Sequence, residues 1–228
     1  MIAYGICVGP TSNFELICRP TIPKDRIIIS RYNMTSIFEA YNSILTEVLA
    51  ISDLEALVLI HDDVALAPTF EQSVYDGLTT GAAIIGAIGA RNPRSIAWWE
   101  GTPRGKAVET SRVFDYGGGT HFVDTVDGMV MVLAPSAFKS LRFDEDTFHG
   151  FHAYDIDLCT TARAMGMSIV VAPLDLVHHT KANRGDVNGW READLLWKKK
   201  WRRISFTGYL SGRALLFLHR LSHRVRQG

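Results

Sequence analysis

Apolar residues in this chain fall into short runs separated by polar, glycine and proline breaks, and the runs alternate between strand-like and helical periods. Ile2 to Val8 is nearly continuous in apolar residues and is halted by Gly9-Pro10, which predicts a strand. Arg26 to Ser30, containing Ile27-Ile28-Ile29, predicts a second strand. Ser36 with Glu39 three residues on reads as a capping box, and Ile37, Tyr41, Ile44 and Val48 follow at helical spacing. Leu57 to Ile60 has the continuous apolar character of an interior parallel strand and ends abruptly in His61-Asp62-Asp63. Pro68 marks the neighbourhood of another helix start. Ala83 to Ile88 and Met129 to Leu133 read as buried strands, and Pro135 to Leu141 as a short helix. Asp155 to Met165 reads as a helix with Leu158, Ala162 and Met165 on one face, and Ser168 to Ala172 as a strand closed by Pro173.

Strands alternating with helices predict an α/β fold with a mostly parallel sheet and helices on both faces. Ligands of such sheets bind beyond the carboxyl ends of the strands. That rule puts Gly9, Ser30-Arg31-Tyr32-Asn33 and Asp62-Asp63 on one rim. The segment from Asn92 to Gly119 breaks the pattern. It is rich in Gly, Arg, Pro and Trp without a clear period, and it predicts a long, partly ordered excursion of the kind that often carries function.

Composition narrows the class. A chain of 228 residues with 47% hydrophobic and 21% charged residues supports one sizeable core rather than two, and is not that of a disordered chain. Three cysteines, Cys7, Cys18 and Cys159, show no Cys-x-x-Cys spacing, so they read as small buried apolar residues in a reducing, cytoplasmic setting. The N-terminus does not read as a signal peptide, and Gly77 to Ala90 is too short to span a bilayer. Net charge is zero but unevenly spread: Leu195 to Gly228 hold nine Lys or Arg and no acid, leaving 15 basic and 24 acidic residues before them. Because these cations alternate with Leu, Phe and Trp, the end of the chain reads either as a helix packed on the domain or as a tail for an anionic membrane surface, rather than for nucleic acid. The expected division is a domain over residues 1–203 and a basic amphipathic helical tail over residues 204–228.

Four groups could carry chemistry. Adjacent carboxylates at a buried strand's end repel and lose hydration, and a divalent cation with a preference for oxygen, Mg²⁺ or Mn²⁺, relieves both costs at Asp62-Asp63. A solvated turn is the plain alternative. Asp155-Ile156-Asp157 follows a run dense in aromatic and His residues, so either it caps a helix or one carboxylate with a raised pKa serves as a general base. His178-His179 is a candidate for imidazole ligation of Mn²⁺. Asp127-Gly128 precedes a strand, where the glycine allows close approach of a sugar or makes a turn, and Trp98-Trp99 offers flat surfaces for a sugar ring or for packing.

Taken in order, these pieces resemble one family: the family 2 type of inverting glycosyltransferase with the GT-A (nucleotide-diphospho-sugar transferase) fold, and within it the StrF-like branch. The matching stretches are Ala40-Tyr41-Asn42, Leu59 to Val64, Val126-Asp127-Gly128, Phe143-Asp144-Glu145, Phe148 to Cys159 and Val177-His178-His179. The resemblance implies that Asp63 holds a metal, Mn²⁺ or Mg²⁺, and that Asp62 meets the donor ribose or the metal's surroundings. It implies that His178 is a later metal ligand, with His179 as its alternate. Asp155 matches the general base, and because Tyr154 stands where the family usually has Glu, Asp157 is a rival for that role. Val8, Ser30, Arg31, Asn33 and Asn42 are placed near the nucleotide, together with Asp62, Asp127 and Gly128.

The expected activity is then transfer of a sugar from a nucleotide-diphosphate donor, with UDP the default by resemblance, to a hydroxyl of a glycan or lipid-linked acceptor. The expected location is the cytoplasm, with contact at the inner face of the membrane through the tail. A nucleotidyltransferase would also want acids and a metal beyond a parallel sheet, but no Gly-rich, Lys-bearing triphosphate loop follows the first strand. A non-catalytic GT-A-like domain that binds a glycan or a partner is the other alternative.

Overall fold

The computed structural model describes residues 1–180 and 186–205. Its centre is a seven-stranded sheet. β1 (Ile2–Val8) lies between β2 (Ile27–Tyr32) and β3 (Ala56–His61), parallel to both. The sheet continues through β11 (Val130–Leu133), β5 (Ile84–Gly86), β12 (Ile169–Val171) and β9 (His121–Val123). β11 runs antiparallel to both β3 and β5, β12 is parallel to β5, and β9 is antiparallel to β12. The sheet is therefore mixed, which corrects the expected mostly parallel order. An apolar run reads the same in either direction, so periodicity carries no sign of strand sense.

Helices cover both faces. α1 (Ile37–Val48) buries Ile37, Tyr41, Ile44 and Val48, the stripe expected from their spacing. It seats closely because Gly5 of β1 has no side chain: a β-carbon there would lie 2.7 Å from Ile44 Cγ2. Successive strand residues face opposite ways, so Tyr4 faces away from α1. Its hydroxyl donates to Glu71 Oε1 at 2.9 Å on α2 (Phe70–Leu78). α3 (Pro135–Ser140) and α4 (Tyr154–Ala164) complete the set. Ser36 occupies the N-cap position of α1, but its side chain makes no cap bond and its buried Oγ has no partner among the described residues, so the expected capping box does not form. The backbone N–H of Ile37 donates instead to Gly150 O at 2.9 Å, tying α1 to the loop before α4.

The Asn92–Gly119 excursion is ordered. It contains β7 (Thr102–Glu109) and β8 (Arg112–Asp115), an antiparallel hairpin. With β6 (Ile88–Arg91), β10 (Thr125–Val126), β13 (Leu176–His178) and β4 (Val64–Leu66) it builds a second, six-stranded sheet. The apolar run Ala83 to Ile88 accordingly divides at Ala87, with β5 in one sheet and β6 in the other. α5 (Val187–Ser205) docks through buried Ala193 and Trp197 and through Asp194 Oδ1, which accepts the Ile96 N–H at 3.1 Å. It runs two residues past the expected boundary after Arg203; residues 206–228 of the expected tail, and with them the membrane reading, lie outside the described residues. Among the described residues no helix is long and apolar enough to cross a membrane. Cys18 and Cys159 are buried and Cys7 half-buried, and all three are free thiols.

Candidate functional site

The carboxyl end of β3 delivers His61, and the chain then turns through Asp62-Asp63 into β4. β13 pairs with β4 in antiparallel register, His178 opposite Val64, and the N–H of His179 donates to Asp63 O at 2.8 Å. That register brings His178 Nε2 to 3.1 Å from Asp63 Oδ1. β7 runs along the other side of β13 with Glu109 opposite His178, and the Glu109 carboxylate lies 3.9 Å from His178 Nδ1. The last residue of the hairpin strand thus stands behind the imidazole.

His61, Asp63 and His178 each offer one ligand atom, and these atoms all lie within 4.8 Å of one another. With bonds of about 2.1 Å, a six-coordinate ion spaces its ligands about 3 Å apart at right angles and about 4.2 Å apart across, so the cluster fits one divalent ion. His178 Nδ1 is buried and makes no hydrogen bond among the described residues, the kind of orphan that a small approach of the carboxylate behind it would resolve. Burial alone would discharge His178, but the Asp63 carboxylate outweighs it and raises the pKa. Burial likewise opposes the charge on Asp63, and the hydrogen bond from His178 reverses that and lowers the pKa. His61 is held neutral, first by burial and then by the neighbouring His178. His179, just past the end of β13, is not in the cluster, which corrects its place as a ligand.

Asp62 faces the other way. Its Oδ2 accepts the Gly9 N–H at 2.9 Å. Gly9 lines a cleft of about 410 Å³ beyond β1 and β2, together with Val8, Ser12, Phe14, Tyr32 and Asn33. Asn33 has φ of 55°, a left-handed turn conformation asparagine tolerates, and its N–H donates to Val8 O at 3.1 Å. Val8, Asn33 and Asp62 are therefore grouped here, and Tyr32, also placed on this rim by the sequence, lies with them and is 56% exposed.

Two residues expected at the nucleotide are spent elsewhere. The Asn42 amide is saturated by the 143–145 segment: Nδ2 donates to Phe143 O and Glu145 Oε2 at 2.9 Å each, and Oδ1 accepts the Phe143 N–H at 2.9 Å. Arg31 lies along α1, donating to Ser43 Oγ at 2.9 Å and to Glu47 Oε2 at 2.6 Å. Both assignments are corrected to structural ones, and Ser30, next to Arg31 in β2, does not line the cleft.

Asp155 opens α4 in its first turn, where the helix dipole favours an anion. The turn is entered through Ala153 at φ 70°, a left-handed conformation costing about 1 kcal/mol or more outside glycine. Asp155 Oδ1 accepts the Ile156 N–H at 2.8 Å and Oδ2 accepts the Gly128 N–H at 3.0 Å. Burial, and after it the charge of Asp127, override these donors and push its pKa up to about 7. Asp127 is held by Trp98 Nε1 at 3.0 Å and by the Met129 N–H at 2.9 Å, and its charge is felt at His61 and His178 as well as at Asp155. Asp155 and the imidazole cluster therefore share one electrostatic neighbourhood.

Tyr154 joins them directly. Its hydroxyl lies 2.6 Å from His61 Nε2. Its ring lies against Gly128, so the glycine accommodates a tyrosine, and neither a sugar nor a turn is what demands it. Asp157 faces the opposite way. It is 2% exposed, both its oxygens lie 2.8 Å from Lys200 Nζ, and Oδ1 also accepts the Trp201 indole N–H at 2.8 Å. It anchors α5, which corrects its standing as a rival base.

Comparisons with known proteins give the family. A model described as "Glycosyltransferase like family" matches residues 22–197. The "Streptomycin biosynthesis protein StrF" of Streptomyces griseus is 33% identical over 216 residues, covering 90% of this chain and 76% of that protein. The crystal structure of A197 from STIV is similar in fold, with a TM-score of 0.55 at 11% identity over 79% of this chain and 86% of that one. The inositol-1-phosphate CTP transferase from T. maritima aligns with a TM-score of 0.39 at 15% identity, over 86% of this chain and 76% of that one. The chain belongs to the glycosyltransferase-like family and is a homologue of StrF.

Proposed function

We propose that this protein is a metal-dependent inverting glycosyltransferase that moves a sugar from a nucleoside-diphosphate donor, UDP by default, to an acceptor hydroxyl. The observation that carries the reading is Asp155, a carboxylate whose pKa is raised to about 7 and whose neighbour Tyr154 touches His61 of the cluster with Asp63 and His178. A base tuned near neutrality is half-ionised at working pH and still basic enough to take a proton in a transition state.

Asp155 removes the proton from the acceptor hydroxyl as that oxygen bonds to the anomeric carbon. The bond from that carbon to the diphosphate oxygen breaks on the opposite side, and the nucleoside diphosphate leaves with the electron pair. One displacement inverts the configuration, and no glycosyl-enzyme intermediate or second carboxylate nucleophile is required. Asp63 and His178 would hold a divalent ion, which when bound neutralises charge on the departing diphosphate. Asp62 and the cleft beside Gly9, with the exposed Tyr32 ring, would take the nucleoside. The Gly128 N–H and the α4 terminus keep the Asp155 carboxylate oriented.

The test is incubation with a panel of nucleotide sugars and Mn²⁺, with sugar alcohols and simple glycosides as acceptors. Release of nucleoside diphosphate with formation of a glycoside of inverted configuration is expected. Pyrophosphate released from a nucleoside triphosphate would instead indicate nucleotidyl transfer, and saturable glycan binding without any turnover would indicate a non-catalytic domain.

A further inference from the structure

We infer that His61 is a third metal ligand, so that the site is a two-histidine, one-carboxylate centre that selects first-row transition ions over Mg²⁺. The inference rests on the proposed metal dependence and goes beyond it, since a carboxylate with one imidazole would leave the ion open between Mg²⁺ and Mn²⁺.

Three observations carry it. First, His61 offers a ligand atom within 4.8 Å of those of Asp63 and His178, a spacing that His179 does not share. Second, two of the three donors are imidazole nitrogens. Mg²⁺ favours oxygen ligands and gives up water reluctantly, whereas affinity for nitrogen donors rises from Mn²⁺ to Co²⁺ along the first row. Third, a polar group stands behind each imidazole, hydrogen-bonded at His61 and within reach of a small shift at His178. Glu109 stands 3.9 Å behind His178 Nδ1, and the Tyr154 hydroxyl lies 2.6 Å from His61 Nε2. Such outer groups fix ring orientation, and removing one typically costs tenfold to a hundredfold in metal affinity. Three protein donors leave the rest of the ion's shell to phosphate oxygens and water.

This assigns Tyr154 a positioning role. It stands beside the proposed base, and its hydroxyl reaches the imidazole that ends β3. One residue thereby links the helix bearing Asp155 to the metal cluster.

The experiment is equilibrium binding of Mg²⁺, Mn²⁺ and Co²⁺ to the full chain, with and without UDP, by calorimetry and by electron paramagnetic resonance of free Mn²⁺. Wild type, His61→Asn and Tyr154→Phe are compared, each checked for fold by circular dichroism. Wild type should bind in the order Mg²⁺ < Mn²⁺ < Co²⁺. His61→Asn should lose about tenfold or more for Mn²⁺ and Co²⁺ with little change for Mg²⁺, and the visible absorption of the Co²⁺ form should shift as one nitrogen donor is lost. Tyr154→Phe, which keeps the ring's bulk, should lower Mn²⁺ affinity in the same direction. An unchanged Mn²⁺ to Mg²⁺ ratio and Co²⁺ spectrum in His61→Asn would overturn the ligand assignment while leaving the metal-dependent reading standing. A wild-type chain that takes up none of the three ions, even with UDP, would overturn both.

Discussion

Gly128 and Tyr154 are matched so closely that a β-carbon on the glycine would lie 2.1 Å from the tyrosine hydroxyl oxygen and 2.4 Å from Cζ. The glycine is held by its neighbour's ring, since the hydroxyl cannot retreat without leaving His61 Nε2. Gly128→Ala should therefore act as overpacking, lowering stability by about 1–3 kcal/mol, and should also weaken metal uptake through His61. Thermal unfolding and Mn²⁺ titration report the two effects separately. Combining it with Tyr154→Leu should recover part of the stability loss but none of the metal affinity, because the hydroxyl is still gone. Additive stability losses would mean that the two residues do not meet.

Asp155→Asn should reduce kcat by about 10²- to 10⁴-fold, the usual contribution of a positioned base, while leaving nucleoside-diphosphate binding nearly intact. In wild type, kcat/KM should fall with a slope of one as pH drops through about 7, since only the ionised carboxylate accepts a proton. The sign for stability is opposite. The folded pKa lies above the ordinary value of 3.8, so the folded state binds the extra proton between pH 4 and 7 and loses stability as pH rises through that window. Asn is uncharged throughout, so the melting temperature of Asp155→Asn relative to wild type should climb from pH 4 to pH 8. A flat difference would remove the raised pKa.

Asp63→Ala and His178→Ala should each abolish Mn²⁺-dependent binding of UDP by calorimetry, whereas His179→Ala should not. The distinction follows from register: His178 lies opposite Val64, and His179 contributes only its backbone N–H to this pairing. Loss of binding in His179→Ala comparable to that in His178→Ala would contradict it.

The parts of the site that were legible in the sequence are those that depend on one element at a time. A continuous apolar run ending in Asp62-Asp63 implies a buried strand with charges at its tip, and the rim follows from the general rule for α/β sheets. Asp155 was legible as an acid at a helix start. What was not legible depends on pairing between distant segments. Glu109 reaches His178 only through the register of β7 and β13, and β7 belongs to a stretch whose Gly, Pro and Trp content hides its strand character. His61 meets Tyr154 only because α4 begins beside the end of β3. The tryptophan pair divides for the same reason: Trp98 is buried and donates to Asp127, whereas Trp99 is 52% exposed, and nothing local distinguishes two adjacent indoles. Asn42 was placed at the nucleotide by resemblance alone, and its bonds to the 143–145 segment depend on how α1 packs there.

Lys200 is the residue whose removal should be felt furthest from the chemistry. Its ammonium lies 2.8 Å from both oxygens of Asp157 and 2.8 Å from Asp144 Oδ2, joining α5 to α4 and to the segment before it. Asp157 is 2% exposed, and burial raises its pKa even with Lys200 beside it. Lys200→Met would leave that carboxylate buried with only the Trp201 N–H, and breaking a buried pair from one side costs about 3–5 kcal/mol. Asp157→Asn should cost less, because an amide needs no counter-charge and can still accept from Trp201. The double variant should be more stable than Lys200→Met alone, since the uncompensated charge is gone. Turnover separates this role from catalysis: Asp157→Asn should keep kcat within about tenfold of wild type under conditions where it is folded, against the loss of at least 10²-fold expected for Asp155→Asn. Denaturant titration of the four proteins and a single steady-state assay decide it. A folded Asp157→Asn protein as inactive as Asp155→Asn would return Asp157 to the reaction.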